Sequence, residues 1–249
     1  MKNKTVVITG GSQGIGLSIS KKFLNAGYTV FVGSRQVGEL EPLLSDRLTY
    51  VKTDVRFEAD VQQLIRRAFA KSGELSVLIN NAGYSEWRPI ELIDQEFLTD
   101  ILSTNLMGAF WGCKSVLAVM NAGASIINIS SIAGKRGSAN NSAYVASKFA
   151  MNGLTQALAK EVGPRGIRVN GICPVLVPTL GLISALNGFN SPAKADAMEF
   201  IESFGREHAA LGRLPTADEV ADTCLFLASE SASAITGQNI NVDCGVFPQ

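Results

Sequence analysis

"TVVITGGSQGIG", residues 5–16, runs from five residues of strand-forming composition straight into a glycine-rich turn, after which apolar residues recur at helical spacing at Ile15, Ile19 and Phe23. Gly10, Gly14 and Gly16 permit a tight strand-to-helix turn, close approach of backbone to a pyrophosphate, and close packing of helix on strand. The start of the helix offers free N–H groups and the positive end of its dipole. Strand, glycine turn and helix in this order read as a dinucleotide cradle built from Gly10, Ser12, Gln13, Gly14, Ile15 and Gly16. An isolated glycine trio would be only a turn; six further strands behind it make it a nucleotide site.

Those strands are the β-branched runs at 29–34, 48–53, 76–80, 125–130, 167–172 and 239–243. Between most of them lie longer segments of helical periodicity, such as Val61, Leu64, Ile65, Ala68 and Phe69. Strand and helix alternating in this way predict an α/β fold: a doubly wound (Rossmann) seven-stranded parallel sheet with helices on both faces. Residues 1–249 are expected to form a single dinucleotide-binding and catalytic domain. The stretch from about 175 to 212 breaks the pattern with prolines and glycines around one expected helix, 193–209, and reads as a substrate lid lying over the sheet.

Twenty-two basic residues balance 22 acidic ones, and no basic run marks a nucleic-acid or membrane footprint, so a small molecule is the expected partner. The N-terminal apolar run is too short for an export signal or a membrane span. Cys113, Cys173, Cys224 and Cys244 are widely spaced, which suggests neither zinc nor a redox dithiol but reduced thiols of a cytoplasmic protein. His208 is the single histidine and falls in the expected lid helix, so proton transfer near neutrality must use another group.

The end of the second strand bears on which dinucleotide is bound. An acidic residue there would accept hydrogen bonds from the ribose hydroxyls and repel a 2′-phosphate. Here the residues are Ser34 and Arg35, a hydroxyl and a planar guanidinium suited to a phosphate monoester, so NADP is favoured while NAD stays possible. Ser12 and Gln13 supply no second cation, and Arg35 alone could also be a solvated surface charge.

"TGGSQGIG" (9–16), "NNAG" (80–83), Asn105 in "LSTNLMGAF", Ser131 in "IINISSIAG" and Tyr144-Val-Ala-Ser-Lys148 together resemble the short-chain dehydrogenase/reductase family in its compact single-domain branch, which includes 3-oxoacyl-carrier-protein reductases and polyol or sugar dehydrogenases. The spacing G-x-x-x-G-x-G also looks like that branch, and Tyr144 lies thirteen residues after Ser131 rather than Ser130. The resemblance implies a catalytic tetrad of Asn105, Ser131, Tyr144 and Lys148. It places Asp54 and Val55 near the adenine, Asn80, Ala82 and Gly83 along the cofactor, and Pro174, Val175 and Thr179 near its carboxamide end. It also implies a homodimer or homotetramer. One departure is plain: the family usually has Pro-Gly after its sixth strand, where this chain has Pro174-Val175, and a valine restricts the backbone and adds bulk. Cys244 likewise stands where glycine is commoner.

These residue types suit carbonyl chemistry. Hydride transfer to a carbonyl leaves an alkoxide that needs a proton, and a phenol with an ordinary pKa of about 10 is expected to be tuned downward by a neighbouring ammonium. Lys148 follows Tyr144 by one helical turn on the same face, where it is also able to hold the cofactor ribose. Ser131, after the fifth strand, would hydrogen-bond the substrate oxygen as charge grows on it. The family pattern assigns Asn105 a water that relays protons through Lys148.

Around the carbonyl, Trp87, Leu176, Leu180, Leu182, Ile183 and Phe189 are candidates for an apolar wall, and Arg88, Lys135 and Arg136 are candidates to meet an anionic group or to be plain solvated charges. The expected activity is an NADP(H)-dependent oxidoreductase interconverting a secondary alcohol and a ketone. The competing reading is a non-catalytic nucleotide-sensing or scaffold protein of the same fold; a dehydratase or epimerase is disfavoured by the glycine spacing.

Overall fold

A computed structural model describes residues 4–194 and 196–248. Seven strands, β1 (Thr5–Thr9), β2 (Thr29–Ser34), β3 (Leu48–Lys52), β4 (Val77–Asn80), β5 (Ser125–Ile129), β6 (Arg168–Pro174) and β7 (Asn239–Val242), form one sheet in the order β3-β2-β1-β4-β5-β6-β7. Every pairing is parallel, with Val6 beside Val30 on one side of β1 and beside Val77 on the other. Strand order reverses between β1 and β4, and doubly wound sheets bind ligands in the crevice outside such a reversal.

Alternation along β1 divides the core. Val6 and Ile8 point to one face, where they meet Leu17, Ile19 and Phe23 of α1 (Gly14–Asn25) and Val220, Cys224 and Leu227 of α8 (Ala217–Ala228). Val7 points to the other, with Phe31 and Ile126, and packs on Leu64 and Ile65 of α2 (Glu58–Ser72), Val116 of α4 (Gly108–Val116) and Leu158 of α5 (Ser142–Val162). Burial of each such aliphatic side chain contributes about 1.5–3 kcal/mol, so strands apolar on both sides settle only in the middle of a covered sheet. Helix α3 (Gln95–Leu102), opened by Asp94 accepting from the Phe97 N–H at 2.8 Å, runs into α4 through a π-helical turn, Ser103–Met107, that contains Asn105.

The segment after β6 holds two helices where one was expected. Thr179 accepts from the Leu182 N–H at 3.2 Å and starts α6 (Leu180–Leu186), a helix too short to show a clear periodicity amid the surrounding prolines and glycines. Asp196 caps α7 (Ala197–His208) through the Met198 and Glu199 N–H groups, so that helix begins four residues later than the predicted 193. Together they enclose a third apolar cluster of Val175, Leu186, Ala197, Ile201 and Leu214, with Trp87, Leu176 and Phe204 packed against it. Among the described residues, no helix is long and apolar enough to cross a membrane, and no three His, Cys, Asp or Glu side chains converge as a metal site would require.

Candidate active site

At the carboxyl ends of the strands lies a cleft of about 1500 Å³, walled by the β1–α1 turn, the ends of β2, β4 and β5, the first turns of α5 and the segment after β6. Its floor is the glycine turn. Gly14 has φ +52°, a left-handed conformation that favours glycine, and a Cβ on Gly16 would run into the Gly10 carbonyl oxygen. The Ser20 hydroxyl, 3.0 Å from the Gly11 carbonyl and 2.9 Å from that of Gly16, ties the turn to the helix. Gln13 precedes α1 without a side-chain cap, and α1 has no acidic residue in its first turn, so its N–H groups and dipole remain available to an anion. A backbone shaped this way fits a pyrophosphate.

All the expected glycine-turn residues line the cleft, as do Ser34, Arg35, Asp54, Val55, Ala82, Gly83, Ser131, Tyr144, Lys148, Pro174, Val175 and Thr179. Arg35 is exposed and also borders a smaller cavity of about 500 Å³ with Lys52 and Arg67. The Ser34 hydroxyl is turned to the Gln36 carbonyl at 2.8 Å. Asp54 is engaged by the Arg56 guanidinium, which holds its carboxyl below the usual carboxylate range, and the same Arg56 reaches Asp100 at 2.6 Å.

Two expected residues stand behind the cleft instead of on it. Asn80 is buried beneath, donating to Asn128 Oδ1 at 2.9 Å and to Cys113 Sγ at 3.4 Å, and Asn128 continues the network to Thr155. It does not itself line the cleft, because its side chain is turned into the core; the next residue, past the end of β4, does. That residue is Asn81: its Nδ2 donates to the Thr9 and Gly10 carbonyls, and Thr9 Oγ1 accepts from the Asn81 and Ala82 N–H groups. Asn105, fully buried, exchanges hydrogen bonds with the Tyr84 backbone and donates to Ser147 Oγ at 3.3 Å. A Cβ on Gly83 would sit 3.1 Å from Asn105 Oδ1 and 3.6 Å from Lys148 Nζ, so the residue 83 backbone lies between the two.

Ser131 is presented by an extended residue that opens a short 3-10 turn, Ile132–Gly134, and its Oγ accepts from the Ala133 N–H at 3.1 Å. Lys148 Nζ donates to the Ile129 carbonyl at 2.9 Å and stands 5.6 Å from the centroid of the Tyr144 ring. Burial lowers the Lys148 pKa to about 8. The Tyr144 phenol is shifted upward, because burial outweighs the hydrogen bond to Ser131 that favours its ionised form. The lowering expected from Lys148 therefore does not emerge: burial disfavours the charged form of both side chains, and the ammonium is directed at a carbonyl instead of at the phenol.

Val175 answers the question its position raised. It is buried in the cluster beneath α6 and α7, and the left-handed conformation falls on the next residue, Leu176, at φ +27°. Of the expected apolar wall, Trp87, Leu176, Leu180 and Leu182 line the cleft, Leu180 being largely exposed at its rim, whereas Ile183 packs on the cluster beneath and Phe189 points to solvent. His208 is exposed at the end of α7 with its ring 4.6 Å from that of Phe204, and it does not line the cleft.

Three residues to which the sequence reading gave no role complete the site: Asn81, inside the NNAG motif, Tyr84, which follows it, and Arg56. The Tyr84 hydroxyl donates to Asp100 at 2.8 Å, so one chain of contacts runs from the end of β4 through Asp100 and Arg56 to Asp54. Nothing in the local pattern marks Arg56 or Asp100, which come from separate connections and meet Tyr84 only in the fold.

Residues 10–247 match the family model described as enoyl-(acyl carrier protein) reductase. A short-chain dehydrogenase reductase of Arabidopsis thaliana is 38% identical over 97% of this chain and 92% of its own length. The chain belongs to the short-chain dehydrogenase/reductase family. Solved short-chain dehydrogenase/reductase structures superpose closely on it. A variant of the actinorhodin polyketide ketoreductase with NADPH gives a TM-score of 0.89 at 29% identity, covering 98% of this chain and 97% of that one. The 3-ketoacyl-(acyl-carrier-protein) reductase of Brucella melitensis, complexed with NADH, gives 0.87 at 28% identity over 98% of both chains. The protein is thus an enzyme of an oxidoreductase family that acts on CH–OH and C=O groups.

Proposed function

We propose that the protein interconverts a secondary alcohol and a ketone, with NADP(H) as the preferred dinucleotide and Tyr144 as the general acid and base. The observation that carries this reading is the convergence of Ser131, Tyr144 and Lys148 on one cleft that begins at a phosphate-shaped glycine turn. The nicotinamide, when bound, supplies or accepts the hydride. The protein's own residues do the rest. Ser131 hydrogen-bonds the substrate oxygen and the phenol; Tyr144 delivers a proton to the developing alkoxide; Lys148, fixed by the Ile129 carbonyl, supplies positive charge beside the ring and reaches toward the ribose. An upward-shifted phenol holds its proton at neutral pH and is ready to act as the acid in the reductive direction.

The glycine turn, Asn81, Ala82, Gly83 and Thr179 would hold the dinucleotide, and Arg35 with the nearby Lys52 and Arg67 favours a 2′-phosphate, as does the NADPH named with the polyketide ketoreductase. The NADH named with the Brucella reductase keeps NAD as the second cofactor. The segment around α6 and α7 serves as the substrate lid, the chain acts as one domain, and its oligomeric state is a homodimer or homotetramer in the cytoplasm. The test is turnover of a ketone panel, followed through reduced-nicotinamide absorbance, beside Tyr144→Phe. Loss of roughly 10²- to 10⁴-fold in kcat with cofactor binding retained supports the assignment. Turnover indifferent to the phenol refutes it, and cofactor binding without any turnover would favour the nucleotide-sensing alternative.

A further inference from the structure

Four cations line the cleft among the described residues: Arg35, Arg56, Arg136 and Lys148. Arg35 stands at the end of β2, on the side of the adenosine; Arg56 is committed to Asp54 and Asp100; Lys148 donates to the Ile129 carbonyl beside Tyr144. Among the described residues, Arg136, exposed at the cleft, alone stands on the substrate side without a carboxylate within ion-pair distance. The two basic residues that share its stretch of candidates are accounted for elsewhere. Arg88 bonds Glu86 at 2.7 Å with its guanidinium 3.9 Å from the centre of the Phe97 ring, and Lys135 donates to the Asn239 carbonyl at 2.7 Å; neither lines the cleft.

Arg136 is also held in place. Its N–H bonds the Ile132 carbonyl at 3.1 Å, so it closes the same short turn that Ser131 opens. Its guanidinium lies 5.4 Å from the centre of the Phe247 ring, a cation–π contact from the segment after β7. Phe247 is itself pinned, since its N–H donates to Asp243 at 2.8 Å and its carbonyl accepts from Asn241 at 2.7 Å. No described carboxylate pairs with Arg136: Glu86, which also lines the cleft, is held by Arg88, and Asp243 accepts from the Gly245 and Phe247 N–H groups. A planar fork backed by a ring and anchored to the turn of the oxyanion-binding serine is built to receive a planar anion.

We infer that Arg136 is a specificity-determining residue that binds a carboxylate on the substrate, so the enzyme takes oxo acids, or the corresponding hydroxy acids, in preference to neutral ketones. This rests on the oxidoreductase reading, with the carbonyl at Ser131 and Tyr144, the acid group at Arg136, and Trp87, Leu176 and Phe204 along the apolar body between.

The test compares levulinate and its longer oxo-acid homologues with their primary amides, in the wild-type protein, Arg136→Gln and Arg136→Lys, at neutral pH with NADPH. The expected result is a carboxylate-over-amide preference in kcat/KM that falls roughly tenfold or more in Arg136→Gln and by less in Arg136→Lys, which keeps the charge but loses the fork. Turnover of acids and amides at equal efficiency in the wild type, or a preference that Arg136→Gln leaves intact, overturns the inference while the oxidoreductase reading stands. If no ketone turns over, that reading falls, and binding decides the inference separately through quenching of tryptophan fluorescence, to which cleft-lining Trp87 contributes. Tighter binding of the acids that Arg136→Gln abolishes sustains an anion site, and equal binding of acids and amides removes it.

Discussion

Asn105 and Tyr84 hold each other by two reciprocal hydrogen bonds: the Tyr84 N–H donates to Asn105 Oδ1 at 2.9 Å, and Asn105 Nδ2 donates to the Tyr84 carbonyl at 2.8 Å. A helical asparagine thus acts as the missing strand partner for the chain leaving β4, and the π-helical turn is what brings it within reach. Asn105→Ala leaves both backbone groups without partners in a partly buried setting, which costs about 1–2 kcal/mol for each. The expected outcome is a melting temperature lower by roughly 5–15 °C, at about 2–4 °C per kcal/mol, together with reduced turnover; calorimetry and steady-state kinetics read both.

Lys148 is maintained at a cost to stability. Its pKa is about 8 in the folded protein against an ordinary 10.5, so between these values the unfolded chain binds a proton that the folded chain has released. Stability therefore rises with pH across that window, and below about pH 8 the charged side chain penalises folding by about 3 kcal/mol. Lys148→Met removes the penalty but leaves the Ile129 carbonyl without its donor, so a net gain of about 1–2 kcal/mol is expected at pH 7, disappearing by about pH 10. Urea denaturation of both proteins across this pH range checks the sign, and an assay of the variant should show that activity is lost.

Arg35 should govern the choice between dinucleotides. Arg35→Ala is expected to weaken NADPH use roughly tenfold or more in kcat/KM while leaving NADH nearly unaffected, because only the former carries the 2′-phosphate. Equal losses for both cofactors would assign Arg35 to general steering instead.

Val175→Gly restores the residue commoner in the family and should not improve this protein. The side chain is 2% exposed within the cluster beneath α6 and α7, so its removal opens a cavity and adds backbone freedom. A loss of about 2–4 kcal/mol is expected by thermal or urea denaturation, with KM rising as the segment over the cleft loosens. An unchanged melting temperature would show that this cluster does not support the fold.

The strands were legible to within two residues because β-branched runs and the alternation of strand with helix are local signals, and the glycine turn was legible because left-handed φ at Gly14 and the lack of room at Gly16 leave few alternatives to glycine. The helical spacing of Tyr144 and Lys148 was equally plain. Helix α6 was missed because seven residues between proline and glycine carry too few turns to show a period, and Asn80, set along the cofactor by resemblance, has its side chain turned inward because position in a motif does not say which face of a strand end looks into the crevice. The direction of the Tyr144 shift was misread for a related reason. Spacing sets how near two side chains lie, but the cost of charging them depends on what encloses them, and that enclosure comes from β5, β6 and the segment after β6.

By itself the sequence determined the order of elements, the glycine turn and the family of chemistry, all of which rest on residues close together in the chain. Only the tertiary structure decided that Val175 is buried under the segment over the cleft, that Asn81 rather than Asn80 meets the crevice, and that Arg136 rather than Arg88 or Lys135 faces it. The physical reason is common to all three: the partners come from elements distant in the chain, α6 and α7 over Val175, the Thr9 and Gly10 carbonyls at Asn81, and Glu86, Asn239 and Phe247 at the three cations, and they are met only when those elements pack.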